Sequence, residues 1–346
     1  MNSKIVLIDG HSILNRAFYG LPDLTNADGL HTNAIYGFLT IMFKILEEEK
    51  PDYLTVAFDV HAPTFRHEMY EEYKGTRKPM ADELRQQVPV IKEVLKAMGI
   101  RIIEQAGLEA DDLIGTLSKR CAQKGMEVSV ISGDRDLLQL ATEQVKIRIP
   151  KTKQGRTEVE DYYAQDVKER YQVTPTEFID LKALMGDASD NIPGVPSIGE
   201  KTATKIITEY HSIEEAHAHV DEVKPPRASK ALKEHWDMAV MSKRLATINV
   251  DADFPYELEE AKLGNIYTEE AYAYFHKLQF KNLLQRFDVT APSNQVEDAV
   301  QEVKDRKEAE AIFAAAKGAD EIGACIFKDT QNVLPLFAGQ AGIDGF

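Results

Sequence analysis

Acidic residues recur where short apolar runs end. Asp9 follows "IVLI", Asp59 follows "LTVAF", and Asp134 and Asp136 in "SGDRD" follow "VSVI". Glu109, Asp111 and Asp112 lie in "GLEADDLIG", just after "RIIE", and Asp187 and Asp190 stand three apart in "GDASDNIPG". Singly, each has an ordinary explanation: a carboxylate in a first helical turn meets the helix dipole, and aspartate after a strand makes a turn. As a set they imply different chemistry. Converging carboxylates repel, and without counter-charge they take up protons or separate. Oxygen-only donors, with no histidine or cysteine at ligand spacing, suit two Mg²⁺, with Mn²⁺ as a substitute, rather than zinc. Two such ions about 4 Å apart activate a water and stabilise a leaving oxygen in phosphodiester hydrolysis. No serine or cysteine nucleophile is then needed. His217 and His219, at i and i+2 of an expected helix, point apart and suit a solvated face.

The acids Asp187 and Asp190, expected on one face of a helical turn, run straight into a glycine-rich stretch, "GVPSIGEKT". It nearly matches a phosphate loop, but Glu200 takes the lysine position and no strand precedes it. A helix-hairpin-helix-like element fits better. Gly194 and Gly199 let the backbone approach phosphates, the amides opening the next helix face an anion, and Lys201 and Lys205 share one face. A third segment, "PTFRHEMYEEYKGTRKPM", interleaves Arg66, Lys74, Arg77 and Lys78 with Phe65, Tyr70 and Tyr73. Aromatics among cations suit single-stranded nucleic acid, although Glu68, Glu71 and Glu72 dilute the basic charge.

These residues need a scaffold that gathers them. The first half alternates apolar strands (Ile5–Ile8, Leu54–Phe58, Arg101–Glu104, Val128–Ile131, Ile147–Ile149) with helical patterns (Ala34–Glu49, Ala81–Met98, Asp111–Gln123). That alternation predicts an α/β fold: a mostly parallel central sheet with helices on both faces. In such a sheet ligands bind beyond the carboxyl ends of the strands, where these acids fall. The expected core is 1–160, followed by a helical region at 161–287 in which "VKPPRASKALKEHWDMAVMSKRLATI" reads as one long helix. Residues 288–300 read as a linker. Residues 301–346 read as a helix (Lys304–Ala316) and a hairpin of "IGACIF" with "VLPLFAG", too small a core to stand alone.

Composition bounds the partners. The chain of 346 residues is 43% hydrophobic with net charge −16, which by itself argues against nucleic acid. The charge is unevenly spread: −6 lies from Asp288 onward and −10 in the first 287 residues. With nine acids assigned to cations, the rest of that segment is close to neutral. Cys121 and Cys325 are far apart and read as reduced thiols. The N-terminal apolar run is too short for a signal or membrane span, so a cytoplasmic protein is expected.

With these pieces placed, the sequence from Lys4 to Phe287 resembles the 5′-nuclease domains of bacterial DNA polymerases I, within the flap endonuclease family. The linked motifs are "LIDGHSILNRAFYG", "FDVHAPTFRHEMYEEYKGTRKP", "GLEADDLIGTL", "SGDRDLLQL" and "GDASDNIPGVPSIGEKTA". The resemblance implies a structure-specific 5′-3′ exonuclease and 5′-flap endonuclease, monomeric, acting on branched or flap DNA, on duplex with a 5′ end and on RNA-primed DNA. It implies Asp9, Asp59, Glu109, Asp111, Asp112 and Asp134 at a first metal, and Asp136, Asp187 and Asp190 at a second. Lys74 and Arg77 would act in a helical arch (about 62–98) on the scissile phosphate, Tyr73 would stack on a base, and Arg16 and Arg66 would add phosphate contacts. Residues 186–207 match a helix-three-turn-helix that grips duplex through Gly194, Gly199, Lys201 and Lys205 and holds a potassium ion. The tail would begin a proofreading-like domain lacking its paired acids, with a polymerase domain in the full-length chain. Two other readings are a non-catalytic module for branched DNA and an acid-based phosphohydrolase of small molecules.

Overall fold

The computed structural model describes residues 3–153 and 156–287 and, beyond them, two short strands. Residues Met1–Asp288 form one compact unit. In chain order it runs β1 (Lys4–Asp9), α1 (Gly10–Gly20), α2 (Asn33–Glu49), β2 (Tyr53–Ala57), α3 (Phe65–Met69), α4 (Asp82–Arg85), α5 (Gln87–Ala97) and β3 (Arg101–Ile103). Then come α6 (Ala110–Gln123), β4 (Glu127–Ile131), β5 (Val145–Lys153), β6 (Arg156–Tyr162), α7 (Ala164–Tyr171) and α8 (Pro175–Met185). The helical part closes with α9 (Glu200–Tyr210), α10 (Ile213–Ala218), α11 (Pro226–Glu234), α12 (Trp236–Ala246), α13 (Glu269–Lys277) and α14 (Lys281–Leu284).

The sheet order is β3-β2-β1-β4-β5-β6. The first five strands are parallel and β6 lies antiparallel on β5. β1 sits in the middle, and Ile5 to Ile8 are all buried, as a parallel strand covered on both faces requires. Its register pairs Asp9 with Ala57 and Ile8 with Ile131. The carboxyl ends of β1, β2 and β4 are therefore level, and the chain reverses its strand order between β1 and β4. Crevices at such points are where open α/β sheets bind ligands.

Three expectations about elements are corrected. The helix expected at 81–98 is two helices meeting at Gln86, because the ring of Pro89 excludes a helical carbonyl four residues back. The long helix near 223–248 is broken at His235, which places the Trp236 ring against His217 at 4.0 Å between centroids. His217 is thus packed rather than solvated, while His219 caps the end of α10. Strand β6 was not expected: "RTEVEDY" is too polar to read as a strand, yet Lys151 pairs across to Glu160 at 2.5 Å. The span expected as an arch contains α3, α4 and α5, with a non-helical turn over 70–81 between the first two.

The expected linker, the helix Lys304–Ala316 and the paired apolar runs lie outside the described residues. In that second unit the described strands are β7 (Phe327–Lys328) and β8 (Ile343–Gly345), antiparallel to each other. Among the described residues no helix is long and apolar enough to cross a membrane.

Candidate active site

Asp9 ends β1 and caps α1. Its Oδ1 accepts the Ser12 N–H at 3.0 Å and its Oδ2 accepts the Ser132 hydroxyl at 2.7 Å, tying β1 to the loop after β4. Burial raises its pKa to about 6, aided by Asp59 and Asp134 and opposed by those two donors. In that loop Gly133 donates its N–H to Ser12 Oγ at 2.9 Å, and Asp134 Oδ1 accepts the Asp136 N–H at 2.9 Å. Asp59 lies just past β2, and its Oδ1 accepts the Ala110 N–H at 2.8 Å, joining β2 to the start of α6. Desolvation would raise Asp59, but that amide and the nearby charge of Lys74 help bring it down to about 2. Asp111, in the first turn of α6, is pushed well above the usual carboxylate range by burial and by Asp9, Asp134 and Asp59.

A second group forms on the far side of Asp134. Asp136 is raised to about 7 by burial and Asp134, against the opposing pull of Lys182. Lys182 Nζ lies 2.6 Å from Asp136 Oδ1 and also pairs with Asp187. Burial would raise Asp187, but Lys182 and Ser189 hold it down at about 2. Lys182 is itself raised: burial disfavours its charge, but the two aspartates outweigh that. Sequence reasoning missed it. The usable signal was Lys182 flanked by Leu181, Ala183 and Leu184 in α8, where a charge needs partners.

A third group carries the basic segment. Lys74 Nζ lies 2.9 Å from Glu109 Oε1, and Arg77 pairs with Asp190. The Tyr73 hydroxyl donates to Glu109 at 3.2 Å and Asp190 at 3.1 Å. Asp187 and Asp190 sit in a turn closed by the Asp187–Ile192 bridge, not in the expected helical turn. Two cavities open onto these groups. One, of about 400 Å³, is lined by Asp59, His61, His67, Lys74, Arg77 and Glu109. The other, of about 370 Å³, is lined by Ser12, Asp134, Asp136, Lys182 and Asp187.

Four expected site residues have other occupations. Asp112 is fully buried, and its two oxygens accept Arg66 Nη1 and Nη2 at 2.9 Å each, the Glu109 N–H at 3.1 Å and the Asn249 N–H at 2.9 Å. These four bonds tie Asp112 into the floor of the site. Arg66, 2% exposed, spends its remaining donors on the Leu245 and Thr247 carbonyls and cannot reach a phosphate. Tyr73, 3% exposed, offers no face to a base. Gly194 is buried with its N–H donated to Ser242 Oγ, and a Cβ there would lie 2.4 Å from Gly186 N. The missing side chain lets the two backbones pack against each other here.

The other expected contacts differ. Arg16 lies on α1 near Gly133, with its buried Nε unpartnered. Gly199 caps α9 and is exposed, as are Lys201 and Lys205 on that helix.

Among the described residues no three of the acids stand close enough, as they are, to grip one ion. The donor set nevertheless fits hard divalent cations: all its ligand atoms are oxygens, and three of its carboxylates, Asp9, Asp111 and Asp136, are shifted toward protonation by burial and by neighbouring acids.

Comparison with known proteins gives a consistent result. Residues 4–172 match the 5′-3′ exonuclease N-terminal resolvase-like domain, and residues 173–269 match the 5′-3′ exonuclease C-terminal SAM fold. The chain is 46% identical over 297 residues to DNA polymerase I of Bacillus caldotenax and 44% identical over 300 residues to that of Bacillus subtilis. Those matches cover 86% and 87% of this chain but only 33% and 34% of the relatives, so the chain spans about a third of their length. Among solved structures, zinc-bound T5 5′-exonuclease aligns with TM-score 0.60 at 21% identity, over 82% of this chain and 99% of that one. The catalytic core of Rad2 in complex with DNA substrate aligns with TM-score 0.54 at 16% identity, over 83% and 92%. At these identities the two structures speak to the fold.

Proposed function

This chain belongs to the 5′-3′ exonuclease family, and from that premise we propose that it hydrolyses phosphodiesters at DNA 5′ ends and 5′ flaps, RNA primers included, with two divalent ions. The observation that carries the reading is the gathering of Asp9, Asp59, Asp111, Asp134, Asp136 and Asp187 along the carboxyl edge of one parallel sheet. Asp9, Asp59, Glu109, Asp111 and Asp134 would hold the first ion, and Asp136, Asp187 and Asp190 the second. Mg²⁺, or Mn²⁺ in its place, supplies the charge that activates a water and stabilises the leaving oxygen. The chain's own residues then orient the strand. Lys74 and Arg77, on the rim of the larger cavity, meet the scissile phosphate. Lys182 holds Asp136 and Asp187 at a fixed separation. Arg16 takes a neighbouring phosphate.

Residues 186–207 act as a helix-three-turn-helix on duplex, through Gly199, Lys201 and Lys205, with a potassium ion on backbone carbonyls. We read the chain as the N-terminal part of a cytoplasmic DNA polymerase I that works as a monomer; its likeness to the DNA polymerase I relatives supports the first part of that reading. The test is cleavage of a 5′-labelled flap with and without Mg²⁺, mapping the cut against the junction. Metal-dependent cutting at the junction is expected, with a loss greater than about a thousandfold in Asp134→Asn with Asp136→Asn. Metal-independent cutting, or an active double variant, rejects the proposal. Binding without cleavage by the wild-type chain supports the non-catalytic module instead.

A further inference from the structure

His11 stands beside the acids but is not one of them. It is the second residue of α1, and its imidazole leans toward the end of β2. Its ring meets the Phe58 ring edge-on, with 5.3 Å between centroids. The same Phe58 would lie only 2.4 Å from a Cβ placed on Gly10, so the start of α1 and the end of β2 are in tight contact. Behind the ring, Asn15 Nδ2 donates to the His11 carbonyl at 2.9 Å, fixing the backbone from which it projects. The imidazole therefore has little freedom to turn.

So held, the ring fixes Asp59 through its backbone. Nδ1 accepts the Asp59 backbone N–H at 3.2 Å, and with its lone pair so engaged it has no proton to give Asp59 Oδ2, 3.5 Å away. The other carboxylate oxygen, Oδ1, takes the Ala110 N–H at 2.8 Å. Asp59 lies beyond the last residue of β2, and its side chain is 45% exposed. No ladder bond fixes it, so without these two neighbours its carboxylate would swing with the loop. The other central acid needs no such help, because Asp9 is anchored by Ser12 and Ser132 within well-packed structure.

We propose that His11 is a positioning residue that locks the Asp59 backbone through its amide, so that the carboxylate, held by the Ala110 N–H, keeps the orientation that presents it to the first divalent ion. The inference rests on the nuclease reading for what Asp59 does, but not for the contact itself. Groups that orient a metal's carboxylates commonly change metal affinity by about 10- to 100-fold when removed.

The experiment uses the whole chain with Mn²⁺ as probe. His11→Ala should weaken the tighter Mn²⁺ site in calorimetry by about tenfold or more and speed hydrogen exchange at the Asp59 amide, with only the small fall in melting temperature that loss of the Phe58 contact brings. In His11→Asn the side-chain oxygen falls close to the place of Nδ1 and accepts the same N–H. That variant should keep Mn²⁺ affinity within about threefold of wild type and restore slow exchange. Wild-type affinity and exchange in His11→Ala overturns the proposal, as does equal impairment of both variants. If the wild-type chain binds no Mn²⁺, the nuclease reading fails, and the metal role of His11 fails with it. A Mn²⁺-binding wild type with an indifferent His11→Ala rejects the positioning role alone.

Discussion

Two charged clusters of this molecule are built from the same side chains and do opposite things. Around Glu49, at the end of α2, Lys4 (3.1 Å), Lys146 (2.7 Å) and Arg148 (2.8 Å) crowd one buried carboxylate, and the Ser129 hydroxyl donates at 3.0 Å. Burial alone would raise Glu49, but hydrogen bonds from Lys146 and Lys4 bring it down to about 2. Along the carboxyl edge of the sheet the balance is reversed, and Asp9, Asp111 and Asp136 are all raised. Where three cations converge on one buried acid, that carboxylate staples β1, β4 and β5 to a helix. Where acids outnumber cations, Asp9, Asp111 and Asp136 are left strained, while Asp59 and Asp187 are held down by their own partners. A cluster that strains its own charges is thus a better sign of function than one that satisfies them.

That contrast is open to direct attack. The largest effect is expected at Asp9. Asp9→Asn keeps a cap on α1, should lower flap cleavage by more than about a thousandfold, and in chelator at pH 8 should raise the melting temperature by a few degrees. The sign follows from linkage. A carboxyl raised from 3.8 to about 6 favours the fold below its unfolded value and loses that contribution as pH rises through 6. A lower melting temperature at pH 8 breaks the comparison.

Glu49→Gln should do the reverse. Cleavage stays at the wild-type level, while stability in urea falls by about 3 kcal/mol, the worth of a carboxyl lowered from 4.5 to about 2. Here the folded pKa is depressed, so the contribution is present above pH 4.5 and disappears as pH falls through 2. The variant should therefore lose most of the difference from wild type in acid. The smallest effect concerns neither cluster. Lys201→Ala with Lys205→Ala should weaken duplex binding a few-fold at every sequence and reduce the salt slope by about 2. An unchanged slope removes α9 from the DNA footprint.

Much of the scaffold was legible because its physics is local. "KIVLID", "YLTVA" and "EVSVI" carry the apolar runs of covered parallel strands, and their ends predicted where acids would gather. Strand β6 was not legible, because an edge strand of Glu, Asp, Arg and Thr has no apolar signature. Nor was the Arg66–Asp112 pair. The sequence shows a basic segment and an acidic motif 46 residues apart, but only folding decides which cation faces which acid. Arg66 and Tyr73 therefore read as ligands for DNA, although burial had already claimed both. Lys182 was overlooked for the complementary reason: one lysine between apolar neighbours makes no motif, and its importance arises from Asp136 and Asp187 arriving beside it.

The contact between Gly186 and Gly194 has a mechanical consequence. Two stretches of main chain touch with no side chain between them, one leading into Asp187 and the other into the turn before α9. Neither can slide without the other. On the nuclease reading this makes a rigid gauge, and the number of base pairs between the clamp and the broken bond is set by this backbone packing rather than by the affinity of either end.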